Sequence, residues 1–204
     1  MKVAVLGGTG AFGSALATQL VGADVDVTIG SRDANRAAAT AAELGVTGAT
    51  NADAVAGVDL VVLSVDASAA LTTAAELADA LGETPVLSVA SQIVFENKAA
   101  RPTDDPLSLA ERVQHVLRGP VVAGLHSLAA STLAAGKSEG DAFVCGDNED
   151  AKAAALELAS HLVTGRALDA GPLASARALE AMTAVIVNLN RRYRGHAGIE
   201  IVGL

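Results

Sequence analysis

The chain has one cysteine, no tryptophan, one tyrosine and three phenylalanines in 204 residues, and it carries no excess of basic charge. A single thiol, Cys145, excludes a disulfide framework and a cysteine-rich zinc site. It suits a reducing compartment, so a cytoplasmic location is expected. With 14 Lys and Arg against 23 Asp and Glu, the net charge of −9 argues against nucleic acid or an anionic membrane as the main partner. An anionic ligand then requires a local basic pocket. The scarcity of aromatics leaves a core of Ala, Val and Leu, and 51% hydrophobic residues against 18% charged ones exclude disorder. Long hydrophobic runs are missing as well. Val3 to Ala23 is uncharged, but Gly7, Gly8, Gly10 and Gly13 interrupt it and argue against a leader or a membrane span.

What is present is an alternation of short apolar runs with helix-length, alanine-rich segments, at a length that suits one large domain with a small appendage. The runs predict strands at Lys2 to Leu6, Asp26 to Ile29, Leu60 to Val65, Val86 to Ala90, Val121 to Leu125, Ala142 to Cys145 and Ala167 to Asp169. Helices are predicted at Phe12 to Val21, Ala34 to Leu44, Ser68 to Leu81, Leu107 to Leu117, Glu149 to Leu162 and Leu173 to Tyr193. The expected fold class is therefore α/β: a Rossmann-like, doubly wound, mostly parallel sheet covered on both faces, with a C-terminal helical segment. In the last helix Leu179, Met182, Ile186, Leu189 and Tyr193 form one stripe, and Ala178, Ala181 and Val185 make the flank apolar too. Such a helix needs two partners, either the chain's own core plus a second subunit in a homodimer, or deep burial in a monomer.

The first strand runs directly into Gly7-Gly8-Thr9-Gly10-Ala11-Phe12-Gly13, and Gly8, Gly10 and Gly13 satisfy G-x-G-x-x-G between a strand and a helix. In that context the glycines provide a tight turn and a close approach to a pyrophosphate at the helix N-terminus, so Gly8 to Gly13 are assigned to dinucleotide binding. An NAD-selective site places an acid at the end of the second strand, whereas this one ends Gly30-Ser31-Arg32 with Arg36 one turn on. A hydroxyl and two guanidinia suit a 2′-phosphate, which points to NADP(H). The plainer alternative is that Arg32 and Arg36 are solvated charges partnered by Asp33.

Groups for acid-base chemistry are sparse. The glycines also read G-x-x-G-x-x-G, as in tyrosine-dependent short-chain reductases, but the one tyrosine, Tyr193, has Ala197 where that family's lysine would stand. Asp66 and Asp104-Asp105 build neither a carboxylate dyad nor a metal site, and no metal is expected. His126, just after an apolar strand, falls where open α/β sheets bind ligands, although a helix cap or a core histidine fits the position equally. His115 and His161 fall in amphipathic helices and read as structural. Asn190-Arg191-Arg192-Tyr193-Arg194-Gly195-His196 gathers cations at the end of the last helix, either against its dipole or as an anion pocket.

These residues together resemble the deazaflavin-dependent NADP reductases, which exchange hydride between NADP(H) and coenzyme F420. The likeness extends over nearly the whole chain. It is carried by Val5-Leu6-Gly7-Gly8-Thr9-Gly10, Gly30-Ser31-Arg32, Leu125-His126-Ser127, Val144-Cys145-Gly146-Asp147, Leu168-Asp169-Ala170-Gly171-Pro172-Leu173 and the ending Asn190-Arg191-Arg192-Tyr193 with His196-Ala197-Gly198. The resemblance implies Thr9 to Phe12 on the pyrophosphate and Ser31, Arg32 and Arg36 on the 2′-phosphate. It implies Val65, Ser91, His126, Leu128 and Ala130 around the nicotinamide and the deazaflavin, with His126 orienting a ring. It also accounts for the missing acid-base pair, because direct hydride transfer between stacked rings asks the protein for proximity and dryness. Residues 1-171 are then the NADP-binding unit, and residues 172-204 complete the substrate site and the homodimer contact. Two loops depart from the family pattern: Asp66-Ala67 stands where many relatives have Pro-Trp, and Ser91 to Glu96 replaces a proline-containing loop. Both bear on the acceptor. The competing readings are an NADP-dependent reductase of an imine, quinone or flavin, and a sensor that binds NADPH without turning it over.

Overall fold

The computed structural model describes residues 1–204. In chain order the elements are β1 (Lys2–Leu6), α1 (Ala11–Val21), β2 (Asp26–Ser31), α2 (Ala34–Leu44), β3 (Thr47–Thr50), α3 (Asn51–Ala54), β4 (Leu60–Leu63), α4 (Ala67–Leu81) and β5 (Val86–Ser88). There follow β6 (Ile93–Glu96), β7 (Ala99–Pro102), α5 (Leu109–Gln114), β8 (Val121–Gly124), α6 (Ala130–Ala135), β9 (Ala142–Gly146), α7 (Glu149–Ser160), β10 (Ala167–Asp169) and α8 (Ala176–Tyr193). Eight strands form one sheet in the order β10-β9-β8-β5-β4-β1-β2-β3, and β6 and β7 form a separate antiparallel hairpin. From β3 to β8 every pairing is parallel. β9 then runs antiparallel to β8, and β10 parallel to β9. The doubly wound, mostly parallel sheet expected from the sequence is present.

Burial on both faces follows from the strand sequences. In β1 the alternate residues Val3 and Val5 enter one apolar cluster with Leu16, Leu20, Ile29, Leu60 and Val62, while Ala4 and Leu6 enter another with Val61, Leu63, Leu77 and Leu179. The two clusters are the two faces of one sheet, which is why these strands read as unbroken apolar runs. Each fully buried leucine contributes about 2 kcal/mol through removal of its surface from water. α8 belongs to this architecture at its beginning, where Ala176 and Leu179 join the second cluster, and leaves it later: Val185, Leu189 and Tyr193 are exposed. The predicted stripe on this helix therefore stays covered through Ile186 and is exposed at Leu189 and Tyr193, while Val185 is exposed on the flank. No helix is long and apolar enough to cross a membrane.

The structure adds elements that the sequence reading did not expect, namely β3, α3, the β6–β7 hairpin and α6, and it shortens the strand ends to Leu63 and Ser88. β3 is only half-buried and reads Thr-Gly-Ala-Thr, so its strand character comes from pairing with β2 and not from its own apolarity. The hairpin turns through Asn97 and Lys98, both with positive φ, as a two-residue turn between twisted strands requires. His115 and His161 are the C-cap residues of α5 and α7, not interior helix residues.

Candidate functional site

β1, α1 and β4 meet at the glycine turn. Gly7 has φ of +78°, and a Cβ on it would lie 2.8 Å from the Ser64 carbonyl oxygen. A Cβ on Gly13 would lie 2.5 Å from the Gly7 oxygen and 2.6 Å from the Ser64 Oγ. Three backbone segments thus pack with no side chain between them, and the left-handed residue of the turn is Gly7, ahead of the G-x-G-x-x-G triplet. Gly10 caps α1 without a side-chain acceptor. The N–H groups of Ala11, Phe12 and Gly13 take no backbone partner in the fold. A helix N-terminus with free donors and no Cβ in front of it is built for an anion.

That turn is one wall of a cavity of about 430 Å³. Thr9, Gly10, Ser31, Arg32, Arg36 and Val65, all named from the sequence, line it. Gly8, Ala11, Phe12 and Gly13 shape the turn behind it. Ser31 Oγ accepts the Asp33 N–H at 3.2 Å, which leaves the hydroxyl proton of Ser31 free to donate. Asp33 is not the partner of the arginines. Its Oδ1 accepts from the N–H groups of Asn35 and Arg36 as the N-cap of α2, and neither Arg32 nor Arg36 makes an ion pair. Asp33 itself, Asn51, Ser64, Asp66, Ala69 and Thr73 complete the lining with Gly7 of the turn. Asn51 escaped the sequence reading because it follows the unexpected β3, and Thr73 because it sits mid-helix with no motif around it.

Val65, Ser91 and His126 follow the carboxyl ends of β4, β5 and β8, which are consecutive neighbours in the sheet. They therefore lie along the same edge as the glycine turn. The chain leaves β8 through Leu125, a buried residue in the left-handed region at φ of +66°. This is a strained conformation for a leucine, and it sets the direction of the residue that follows. Leu128 N–H donates to the Leu125 carbonyl at 3.0 Å and closes the turn, and Ala130 opens α6. His126 is 5% exposed, and neither ring nitrogen has a partner with hydrogen-bond geometry. Burial pulls its pKa down to about 4, with the nearby Ala90 carbonyl opposing the shift in part, so the imidazole is neutral at physiological pH. Buried polar atoms are nearly always paired, so a buried imidazole with only the Ala90 carbonyl nearby is an exception that needs a cause.

The backbone of His126 is tied to α8. Thr183 Oγ1 donates to the His126 carbonyl at 3.0 Å and lies 2.7 Å from Ser91 Oγ. Thr183 has one hydroxyl proton, so Ser91 is the donor to Thr183. Three post-strand and helical residues are thereby fixed relative to one another. The β6–β7 hairpin is held to the same helix, with Asn188 bonded to both the N–H and the carbonyl of Ala100 at 2.8 Å. Arg191, Arg192, Arg194 and His196 are exposed, Arg191 stacking over the Phe95 ring at 5.7 Å. Cys145 is buried with its thiol pKa pushed up to about 12, chiefly by burial, so it is not a nucleophile here. No cluster of three or more metal-ligating side chains occurs.

Residues 2–92 match the family model of the coenzyme F420-dependent NADP oxidoreductases. An F420-dependent NADP reductase of Methanothermobacter thermautotrophicus is 36% identical over 222 aligned positions, covering all of this chain and 96% of that protein. The Methanocaldococcus jannaschii F420-dependent NADP reductase is 32% identical, covering all of this chain and 99% of the other. A crystal structure from Arthrobacter sp. FB24, provisionally assigned as an F420-dependent NADP reductase, superposes over the full length of both chains with a TM-score of 0.86 at 26% identity. A Bacillus cereus imine reductase shares the fold at 20% identity and a TM-score of 0.67, and 62% of its length is matched.

Proposed function

Because the chain belongs to the F420-dependent NADP reductases, we propose that it transfers hydride between NADP(H) and the deazaflavin coenzyme F420. The observation that carries this reading is the pairing, along one sheet edge, of a phosphate-accepting glycine turn with a dry, unpartnered histidine three strands away. Both ligands fit the residues present. The glycine turn is a cradle that any Cβ would fill, and His126 offers buried polar atoms with no internal partner.

When bound, NADPH supplies the hydride and coenzyme F420 accepts it, a direct transfer that needs no protein nucleophile. The chain's own work is binding, orientation and exclusion of water. The free N–H groups at the start of α1, with Thr9, hold the pyrophosphate, and Ser31, Arg32 and Arg36 hold the 2′-phosphate. Val65, Ser91, His126, Leu128 and Ala130 border the two rings. His126, neutral and held by Leu125 and Thr183, orients a ring by a hydrogen bond and carries no covalent step. Three interstrand steps of about 4.8 Å separate β1 from β8, so the site suits an extended dinucleotide lying across the edge.

Residues 1-171 supply the nucleotide site in this reading, and 172-204 close the acceptor site. The exposed residues Val185, Leu189 and Tyr193 of α8 meet a second copy of the chain in a homodimer, supported by the apolar surface this helix leaves exposed. One buried thiol and the absence of a membrane-crossing helix suit a cytoplasmic enzyme. Stopped-flow mixing of the protein with NADPH and oxidised coenzyme F420 tests the activity. Bleaching of the deazaflavin absorbance with NADPH and not NADH is expected. Bound NADPH with no bleaching refutes the acceptor and would favour a non-catalytic NADP(H) sensor.

A further inference from the structure

We propose that a second cavity, between α6 and the C-terminal tail, receives the anionic side chain of the deazaflavin co-substrate, with Lys137 as its cation and the His196 ring as a hydrogen-bonding wall. The proposal rests on the hydride-transfer reading above. The cavity is about 290 Å³, and Ser127, Lys137, Glu139 and His196 are among its lining residues. Ser127 is the next residue after His126, so the cavity begins where the ring site ends. α8 connects the two places. Thr183 holds the His126 backbone, and Asn190, seven residues on, accepts the Ala197 N–H at 2.6 Å and so fixes the tail that carries His196. Seven helical residues rise about 10 Å. The linker from a deazaflavin ring to its phosphodiester is about six single bonds, about 7 Å when extended, and the carboxylates follow beyond it. The distances are compatible.

The wall is preformed. Asp141, whose side chain is 1% exposed, accepts from the Arg166 guanidinium at 2.7 Å and from the Ile201 N–H at 2.9 Å, while its own N–H donates to the Ile199 carbonyl. The tail therefore needs no ordering when a ligand arrives. His196 Nδ1 lies 3.3 Å from Ser131 Oγ, which leaves Nε2 for the cavity. The nearby hydroxyls have little to offer an anion. Ser127 donates to the Asp141 carbonyl, Thr132 to the Ala129 carbonyl, and Ser138 in turn to Thr132. Attraction for an anion must come from the Lys137 charge, with the His196 ring nitrogen as a hydrogen-bonding group beside it. Lys137 makes no ion pair, and neither do Arg191, Arg192 and Arg194 at the adjacent end of α8. Of these, Arg191 stacks over Phe95, and Lys137 is the one cation that lines the cavity in a chain of net charge −9. Glu139 is the opposing charge within the cavity, and it makes the proposal testable with both signs.

The test is binding measured by deazaflavin fluorescence, with intact coenzyme F420 and with a fragment that keeps the ring and ribityl chain but lacks phosphate and glutamates. Lys137 and Glu139 are exposed, so Lys137→Gln and Glu139→Gln leave the fold intact. We expect Lys137→Gln to weaken the intact coenzyme about fivefold and leave the fragment unchanged, and Glu139→Gln to tighten the intact coenzyme about twofold. Raising the salt concentration should compress both differences. The proposal is overturned if Lys137→Gln alters both ligands alike, or neither, or if the wild type holds the fragment as tightly as the intact coenzyme. Wild-type protein that shows the expected binding contrast but does not oxidise NADPH would overturn the hydride-transfer reading and leave the anion site standing.

Discussion

Replacing Arg32 and Arg36 together by alanine tests the assignment of the 2′-phosphate site. Neither guanidinium has an ion-pair partner in the fold, and the Asp33 carboxylate is occupied as the cap of α2. The double variant therefore loses no internal salt bridge, and its stability should match the wild type. What it loses is ligand contact. A charge-assisted hydrogen bond contributes about 1.5–3 kcal/mol, and solvent screening at these exposed positions reduces each to about 1–1.5 kcal/mol. The pair then amounts to about 2–3 kcal/mol, or a rise of about 30- to 150-fold in the Kd for NADPH. NADH lacks the phosphate, and its Kd should move less than about threefold by the same reasoning. Fluorescence titration of both nucleotides against both proteins supplies the four constants required. Asp33→Ala is the control, expected to cost about 1 kcal/mol of stability through the lost cap while sparing the selectivity. Equal losses for NADPH and NADH would refute the assignment, as would an unchanged NADPH constant.

Other expectations are as direct. Gly13→Ala forces a Cβ to within 2.5 Å of backbone oxygen with nothing mobile to yield, so NADPH affinity should fall at least tenfold despite the better helix propensity of alanine; retained affinity would show that the turn is not the phosphate cradle. For His126 the folded state takes up a proton only near pH 4 and the unfolded chain near 6.5, so stability is full above about pH 6.5 and falls by about 3 kcal/mol toward pH 4. Denaturant titrations of His126→Gln should lose that slope, and an unchanged slope would assign it elsewhere. Thr183→Val should slow single-turnover hydride transfer by about an order of magnitude, with Thr183→Ser restoring it, since only the hydroxyl bridges Ser91 and the His126 carbonyl; equal rates in all three proteins would remove Thr183 as a positioning residue. Cys145 should resist thiol reagents at pH 8 until the chain is unfolded, and labelling of the native protein would contradict its burial.

The parallel part of the fold was legible because its strands are buried on both faces, and a run such as Leu60 to Leu63 has no other reading beside helix-length neighbours. β3 and the β6–β7 hairpin were not, because Thr47 to Thr50 and Ile93 to Glu96 owe their extended form to pairing, and the Asn97-Lys98 turn lacks the glycine that usually announces it. The first half of the candidate site could be read in order, since the glycine turn and the two arginines that line one cavity fall within the first β-α-β unit and the start of α2. The second half could be located only to His126. That Leu125 turns left-handed, that Thr183 reaches across 57 residues to the histidine backbone, and that α8 uncovers its apolar stripe only beyond Ile186 are consequences of tertiary packing. No local pattern encodes them.

The line of hydroxyls from Ser91 through Thr183 to the His126 carbonyl has a fixed polarity. A carbonyl can only accept, so Thr183 must give its proton away, and Ser91 must give its proton to Thr183. At its open end the line therefore presents lone pairs and never a proton. Whatever occupies the space beside Ser91 must bring its own N–H or O–H to be held there, and a group that is purely an acceptor meets repulsion instead. A backbone carbonyl two hydrogen bonds removed from that space thus sorts ligands by which half of a hydrogen bond they carry.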